Sequence, residues 1–311
     1  MSIRRPHVAA SSIAVVLALV VAGCGDDETA STTDGRTVLA SFYPLAYVAE
    51  RLVAPDGIVE NLTQPGVEPH DLELTGQQVG SIADADLVLY LHGFQPAVDE
   101  AVEQNADDHS LDVADTVDLL PAAEEDSHED EDGDHGDLEG DPHVWLDPAN
   151  LAAISQAVAD ELAEVIPDRA DGIQDRAAEL IAELNALDEE YDSGLAQCEH
   201  RVFVTSHEAF GYLADRYHLE QVGISGLSPD AEPSPARLAE VQEVVQVEGV
   251  TTIFYETLVS PKVAETMAED LDLATAVLDP IEGLTDHAAD EDYVTLMRAN
   301  LDALRKANGC S

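Results

Sequence analysis

The sequence predicts an α/β protein of two lobes, each a parallel sheet flanked by helices, joined by one long rigid helix. Three observations carry that reading. Apolar runs alternate with helical patterns over residues 37–120, and again over residues 201–306, at the spacing of strand–helix–strand units. Between the blocks, Ile173, Ala177, Leu180, Leu184, Leu187, Tyr191 and Leu195 fall at steps of three and four. That is an amphipathic stripe sustained over about seven turns. The strand candidates include continuous apolar runs such as Leu87-Val88-Leu89-Tyr90-Leu91, the kind a parallel sheet buries on both faces.

In the first block the expected strands are residues 37–42, 58–63, 87–91 and 116–120. Helices open at Pro44, after a Thr75 cap, and at Pro96. Asp147 is placed to cap the next helix, with Pro148 at its first position. Leu151, Ile154, Val158, Leu162 and Val165 form its apolar face, and Pro167 ends it. The long helix covers about residues 169–197. The second block has expected strands at 201–206, 221–225, 251–256 and 274–278, with helices at 208–218, 237–247, 261–270 and 293–306. The resulting domains are a leader at 1–23, a flexible tether at 24–36, a first lobe at 37–166, a connecting helix at 167–197 and a second lobe at 198–311.

The chain carries 65 acidic and 13 basic residues, a formal net charge of −52. Such a surface repels nucleic acid and anionic lipid, which excludes a nucleic-acid partner. It attracts cations, although diffuse attraction is not a site. The acidity is densest over residues 122–141, where eleven of twenty residues are Asp or Glu and His128 and His135 are interspersed. A run of this composition cannot bury enough apolar surface to fold alone. It is either a solvated linker or an auxiliary metal-collecting loop, since carboxylate and imidazole are ligands of divalent metals.

The leader has Arg4 and Arg5 ahead of an apolar run from Val8 to Ala22. That run is too short for a typical membrane span and has the length of a signal core. It ends in Val21-Ala22-Gly23-Cys24, which resembles the lipobox of bacterial lipoproteins. The resemblance implies cleavage before Cys24, a lipid on its thiol, and a mature chain anchored to the outer face of the cell membrane.

Ligands of parallel α/β sheets bind beyond the carboxyl ends of the strands. His70 lies in the loop after residues 58–63 and His143 in the loop after the last strand of the first block. His207 directly follows residues 201–206, and Asp279 directly follows residues 274–278. Three imidazoles and one carboxylate at two sheet mouths make a four-coordinate Zn²⁺ site. Taken singly, each has a plainer role: a strand-end His is commonly a satisfied polar residue, and Asp279-Pro280 is a common turn opener. Glu256, at the end of residues 251–256, is the weakest ligand candidate. His92, His109, His200, His218 and His287 find no partner in this scheme.

These stretches resemble a known family, the zinc-binding solute-binding lipoproteins of bacterial ABC importers (the ZnuA-like group of metal-binding cluster A-I). The resemblance rests on Pro69-His70-Asp71, the acidic tract, Pro142-His143-Val144-Trp145-Leu146-Asp147-Pro148, Thr205-Ser206-His207-Glu208-Ala209-Phe210-Gly211-Tyr212, Ile224-Ser225-Gly226-Leu227-Ser228-Pro229 and Leu278-Asp279-Pro280. It implies metal held in the cleft between two lobes, with His70, His143, His207 and Asp279 as ligands. Manganese-binding relatives tend to carry Glu where His207 stands, so His207 favours zinc. His92 departs from the family pattern. The implied partners are an ABC permease and its ATPase, with Zn²⁺ as transported ligand and the chain acting as a monomer.

With Cys24 lipidated, Cys198 and Cys310 remain as a pair in an oxidising compartment and are expected to bridge, two free thiols being the alternative. The leading function is capture of extracytoplasmic Zn²⁺ for a permease. A manganese carrier of the same family is one alternative. A zinc-dependent hydrolase is another, but Asp279 would fill the coordination position a catalytic zinc keeps open, and no HExxH motif is present. No catalytic residue is expected.

Overall fold

Each of two sheets has four short parallel strands, and the two share one topology. The computed structural model describes residues 36–55, 57–121, 140–285 and 291–311. Strand β1 (Thr37–Ala40) lies between β2 (Ile58–Asn61) and β3 (Leu87–Tyr90), and β4 (Ser110–Asp112) completes the order β2-β1-β3-β4. The second sheet, β5 (Val202–Thr205), β6 (Glu220–Gly223), β7 (Thr252–Tyr255) and β8 (Ala274–Val277), repeats it as β6-β5-β7-β8. Val38 faces both Val59 and Leu87, and Val204 faces both Val222 and Ile253. In each sheet the strand order reverses direction at the central pair. A crevice opens there at the carboxyl ends.

Local sequence explains the helices. In α1 (Tyr43–Val53) a proline in the first turn and mostly buried positions seat the helix on the sheet. Thr75 and Gln78 form a reciprocal capping box at α2 (Gly76–Asp84). Helix α3 (Pro96–Asn105) again opens on proline. At α4 (Pro148–Val165) the Asp147 carboxylate accepts from Ala149 N at 2.8 Å. The long helix is α5 (Ala170–Leu195), and its buried residues are the seven of the predicted stripe. The second sheet carries α6 (Gly211–Arg216), α7 (Pro235–Glu248), α8 (Lys262–Asp270) and α9 (Tyr293–Ala307).

The expected strand at 116–120 is not formed. The fourth strand is β4, and the Asp112 carboxylate ends it by accepting from Ala114 N at 3.0 Å, turning the chain into a 3-10 helix at Val113–Thr116. Leu119, counted as a strand residue from its apolarity, is left exposed. The expected helix at 208–218 is likewise shortened to α6, because Glu208 N bonds to Gly226 O (2.9 Å) and holds the chain at the sheet mouth.

Helix α5 packs on α1 and α4 from the first half and on α9 from the second. One apolar cluster therefore runs through both halves, from Val38 and Leu89 through Leu184 and Tyr191 to Phe203 and Met297. Polar ties follow the same route. Tyr191 donates to Met297 O (2.6 Å), and Asp188 on α5 pairs with Arg216 on α6 (2.6 Å). The two halves belong to one compact unit.

Cys198 and Cys310 form a disulfide, as expected from their pairing. It joins the end of α5 to the end of α9. The leader at 1–23, the lipidation candidate Cys24, the tether up to residue 35, residues 122–139 of the acidic stretch with His128 and His135, and His287 lie outside the described residues. Among the described residues no helix is long and apolar enough to cross a membrane.

Replacing Cys198 and Cys310 by serine is expected to lower stability by roughly 2–4 kcal/mol through the freer unfolded chain. Urea denaturation of the oxidised and substituted proteins checks this.

Candidate metal centre

Four side chains meet at the mouths of the two sheets: His70, His143, His207 and Glu282. Their ligating atoms all lie within 4.8 Å of one another. His70 follows β2 and His143 begins a 3-10 turn after β4. His207 follows β5 and Glu282 follows β8. The three Nε2 atoms stand 3.5, 3.3 and 3.3 Å from Glu282 Oε1. His143, His207 and Glu282 are buried, and His70 keeps 12 % of its side-chain surface.

The three predicted histidines are thus brought together, but the predicted fourth ligand is not among them. Asp279 turns its carboxylate elsewhere: Oδ1 accepts from Ile281 N (2.8 Å) and Oδ2 from Thr257 Oγ1 (2.9 Å). Glu282, three residues on, takes the place assigned to it. The reason is local. Ile281 adopts φ 57°, in the left-handed region, which costs a β-branched residue of order 1–3 kcal/mol and persists only where surroundings impose it. That reversal carries the next side chain inward. Sequence reasoning stopped at the first carboxylate after the strand, and the available signal was the Asp279-Pro280 turn opener itself.

Two carboxylates behind the imidazoles set their orientation. Asp141 Oδ1 lies 2.7 Å from His143 Nδ1 and also accepts from His143 N (2.9 Å). Glu256 Oε1 lies 2.8 Å from His207 Nδ1 and accepts from Ser206 Oγ (2.7 Å). Each carboxylate holds the proton on Nδ1 and leaves Nε2 to face the centre, the arrangement that orients metal-binding histidines. Glu256, weighed as a ligand from sequence, is an orienting group here.

The site is electrostatically paired. Burial alone would lower the pKa of His207, but the Glu256 and Glu282 carboxylates outweigh it and push it up to about 10. Burial also works against protonated His143, and Asp141 and Glu282 again raise it. Burial would raise Glu282, yet the surrounding imidazoles, His70 first, hold it well below the usual carboxylate range. Glu68, which accepts from His70 N, is pushed up to about 8 by burial and by the Glu282 charge.

Five buried polar atoms at this centre, the three Nε2 atoms and both Glu282 oxygens, have no hydrogen-bond partner. Buried polar atoms rarely lack partners. Five converging ones of N and O type are a donor set for a small divalent cation, and three imidazoles with one carboxylate suit four-coordinate zinc.

The centre is bound to both halves. Tyr212 on α6 accepts from Leu120 N (2.9 Å) and donates to Asp141 O (2.8 Å). A Cβ on Gly211 would stand 2.5 Å from Asp141 Oδ2, so only glycine allows this approach. Trp145, two residues past His143, donates to Pro280 O at 2.7 Å. The neighbouring Asp71 carboxylate raises the pKa of Asp230. His92 lies outside the cluster, exposed, with Nδ1 3.6 Å from Asp99 Oδ2.

Comparison with known proteins places this geometry in context. The family model described as zinc-uptake complex component A, periplasmic (ZnuA), matches residues 38–307. The chain belongs to the ZnuA family. Among ZnuA relatives, it is 35 % identical over 301 residues to the high-affinity zinc uptake system protein of Bacillus subtilis strain 168, covering 92 % of this chain and 93 % of that one. It is 36 % identical over 305 residues to the zinc-binding lipoprotein AdcA of Streptococcus pneumoniae serotype 4, covering 94 % of this chain. The match spans 60 % of the length of that AdcA. The fold superposes on the Zn(II)-bound ZnuA-like domain of Streptococcus pneumoniae AdcA with a TM-score of 0.74 and 33 % identity, over 88 % of this chain and 99 % of that domain.

Exchanging Asp141 for alanine frees the His143 ring, and the expected loss is about 10- to 100-fold in metal affinity. Competition with a chromophoric chelator measures it, with melting temperature as the folding control.

Proposed function

We propose that this chain is an extracytoplasmic zinc-binding protein that captures Zn²⁺ and hands it to an ABC permease, driven by its ATPase. The observation carrying the proposal is the buried set of His70, His143, His207 and Glu282, drawn from both halves of the chain with its donor atoms unpaired. A binding site, unlike a catalytic one, fills all four positions with protein ligands. The names of the family relatives support the cargo, the transport role and a membrane-anchored location. The lipid anchor on Cys24, the two-lobe division at 37–166, 167–197 and 198–311, and the monomeric state belong to this reading. So does an auxiliary, weaker role for His128 and His135.

Three imidazoles also decide between metals. Imidazole suits zinc, while replacing it with carboxylate moves a site toward harder ions such as Mn²⁺. His207→Glu is therefore expected to lower Zn²⁺ affinity and improve the Mn²⁺ to Zn²⁺ ratio.

Titration of the chelator-stripped mature chain is the deciding experiment. One tight Zn²⁺ equivalent is expected, lost in His207→Ala and kept in His92→Ala. Equal affinity in His207→Ala overturns the assignment. Leu120 O already accepts from Asp141 N at 2.8 Å, so the described residues that flank 122–139 are adjacent. Joining them by deleting residues 122–139 is expected to preserve the tight site and remove only weak, salt-sensitive binding.

Ligation requires neutral imidazole. The carboxylates favour protonated His143 and His207 before metal arrives, so Zn²⁺ must displace protons and affinity must rise with pH. Calorimetry in buffers of different ionisation enthalpy is expected to report release of roughly one to two protons per ion.

A further inference from the structure

Glu282 enters the centre from a turn of four residues, 279–282, and the polar groups of that turn are held at almost every point. Asp279 N donates to Asn300 Oδ1 (2.9 Å), and Asn300 Nδ2 returns a bond to Asp279 O (2.6 Å). Trp145 Nε1 donates to Pro280 O (2.7 Å). Ile281 N donates to Asp279 Oδ1 (2.8 Å), whose other oxygen accepts from Thr257 Oγ1 (2.9 Å). Glu282 O accepts from Tyr43 N (3.3 Å). Asn300, Trp145, Ile281 and Glu282 are all buried.

Within this frame the one conformation a β-branched residue resists is the left-handed backbone of Ile281, φ 57°. An aspartate accepting from the N–H two residues on is the local device that supports such a turn. The Asp279 carboxylate does this while spending its second oxygen on Thr257.

We infer that Asp279 is a positioning residue that aims Glu282 at the imidazoles by fixing the left-handed turn at Ile281, and that it does so as a hydrogen-bond acceptor rather than as a charge. This rests on the zinc-binding reading above and adds to it the residue that sets the oxygen ligand. Two consequences separate positioning from ligation. An isosteric amide keeps the acceptor toward Ile281 N, and its NH₂ can donate to the Thr257 hydroxyl, which both donates and accepts. A metal ligand changed from carboxylate to amide would instead lose its charge toward the ion.

The experiment uses the mature chain carrying Asp279→Ala, Asp279→Asn or Glu282→Gln. Zn²⁺ affinity is read by chelator competition and the site by the visible bands of bound Co²⁺. Asp279→Ala is expected to weaken Zn²⁺ by about 10- to 100-fold and to shift the Co²⁺ bands as the oxygen ligand leaves. Glu282→Gln is expected to shift them in the same direction. Asp279→Asn is expected to recover both the affinity and the spectrum. The inference is overturned if Asp279→Asn is as weak as Asp279→Ala, or if Asp279→Ala keeps native affinity and bands. Should Asp279→Ala fail to fold, a tight Asp279→Asn beside a weak Glu282→Gln supports positioning, and two weak variants overturn it. Failure of the unsubstituted chain to bind Zn²⁺ would sink the proposed function instead, so the two failures are distinguishable.

Discussion

A carboxylate without surface exposure, facing three imidazoles, is the constraint on which the rest of the molecule depends. Removing an ion of this size from water costs several kcal/mol, and the cost is met only by close opposite charge and good geometry. Glu282 has no hydrogen-bond donor on either oxygen. Its compensation comes from His70, His143 and His207, which must therefore be held at fixed distance by chain segments far apart in sequence. Sheet mouths, long helix, disulfide and the shared apolar cluster all serve that requirement.

Two of the supporting arrangements reach across from one half to the other. His143 and Asp141 come from the first half, yet Gly211 and Tyr212 of the second close over Asp141. Glu282 comes from the second half, yet Trp145 and Tyr43 of the first hold its turn. His143, through Asp141, and Glu282 are thus each secured by the opposite half. Any change in the angle between halves would disturb the orientation of ligands on both sides at once. Taking up and giving up an ion would then be coupled to one motion rather than to four independent side-chain movements.

Much of this was legible in the sequence, for physical reasons that differ by element. The stripe from Ile173 to Leu195 was readable because a buried helical face repeats every three to four residues. His70, His143 and His207 were readable because loops at the carboxyl ends of parallel strands converge. Other features escaped. The Thr116–Leu120 run looks like a strand by composition, and only the Asp112 side chain shows that the chain has already turned. Glu282 escaped because backbone handedness decides it. Asp279 is the first carboxylate after β8 and so the one the sequence points to, while Glu282 reaches the centre past the left-handed turn at Ile281. A sequence pattern reports polarity and period, and it does not report the sign of one dihedral angle. Asp141 was not singled out, and Glu256 was weighed as a ligand; their orienting roles behind His143 and His207 emerge only from distances.

Trp145 is the chain's single tryptophan. It is buried with its ring 5.4 Å from that of His143, in edge contact with Phe42 and Phe94, and hydrogen-bonded to the turn that bears Glu282. All indole emission of this protein therefore originates beside the centre, with no background from a second fluorophore of its kind. The indole N–H reports on one ligand loop and the ring face on another. Evolution has placed, for reasons of packing and hydrogen bonding, what amounts to a built-in optical gauge of the gap between the two halves.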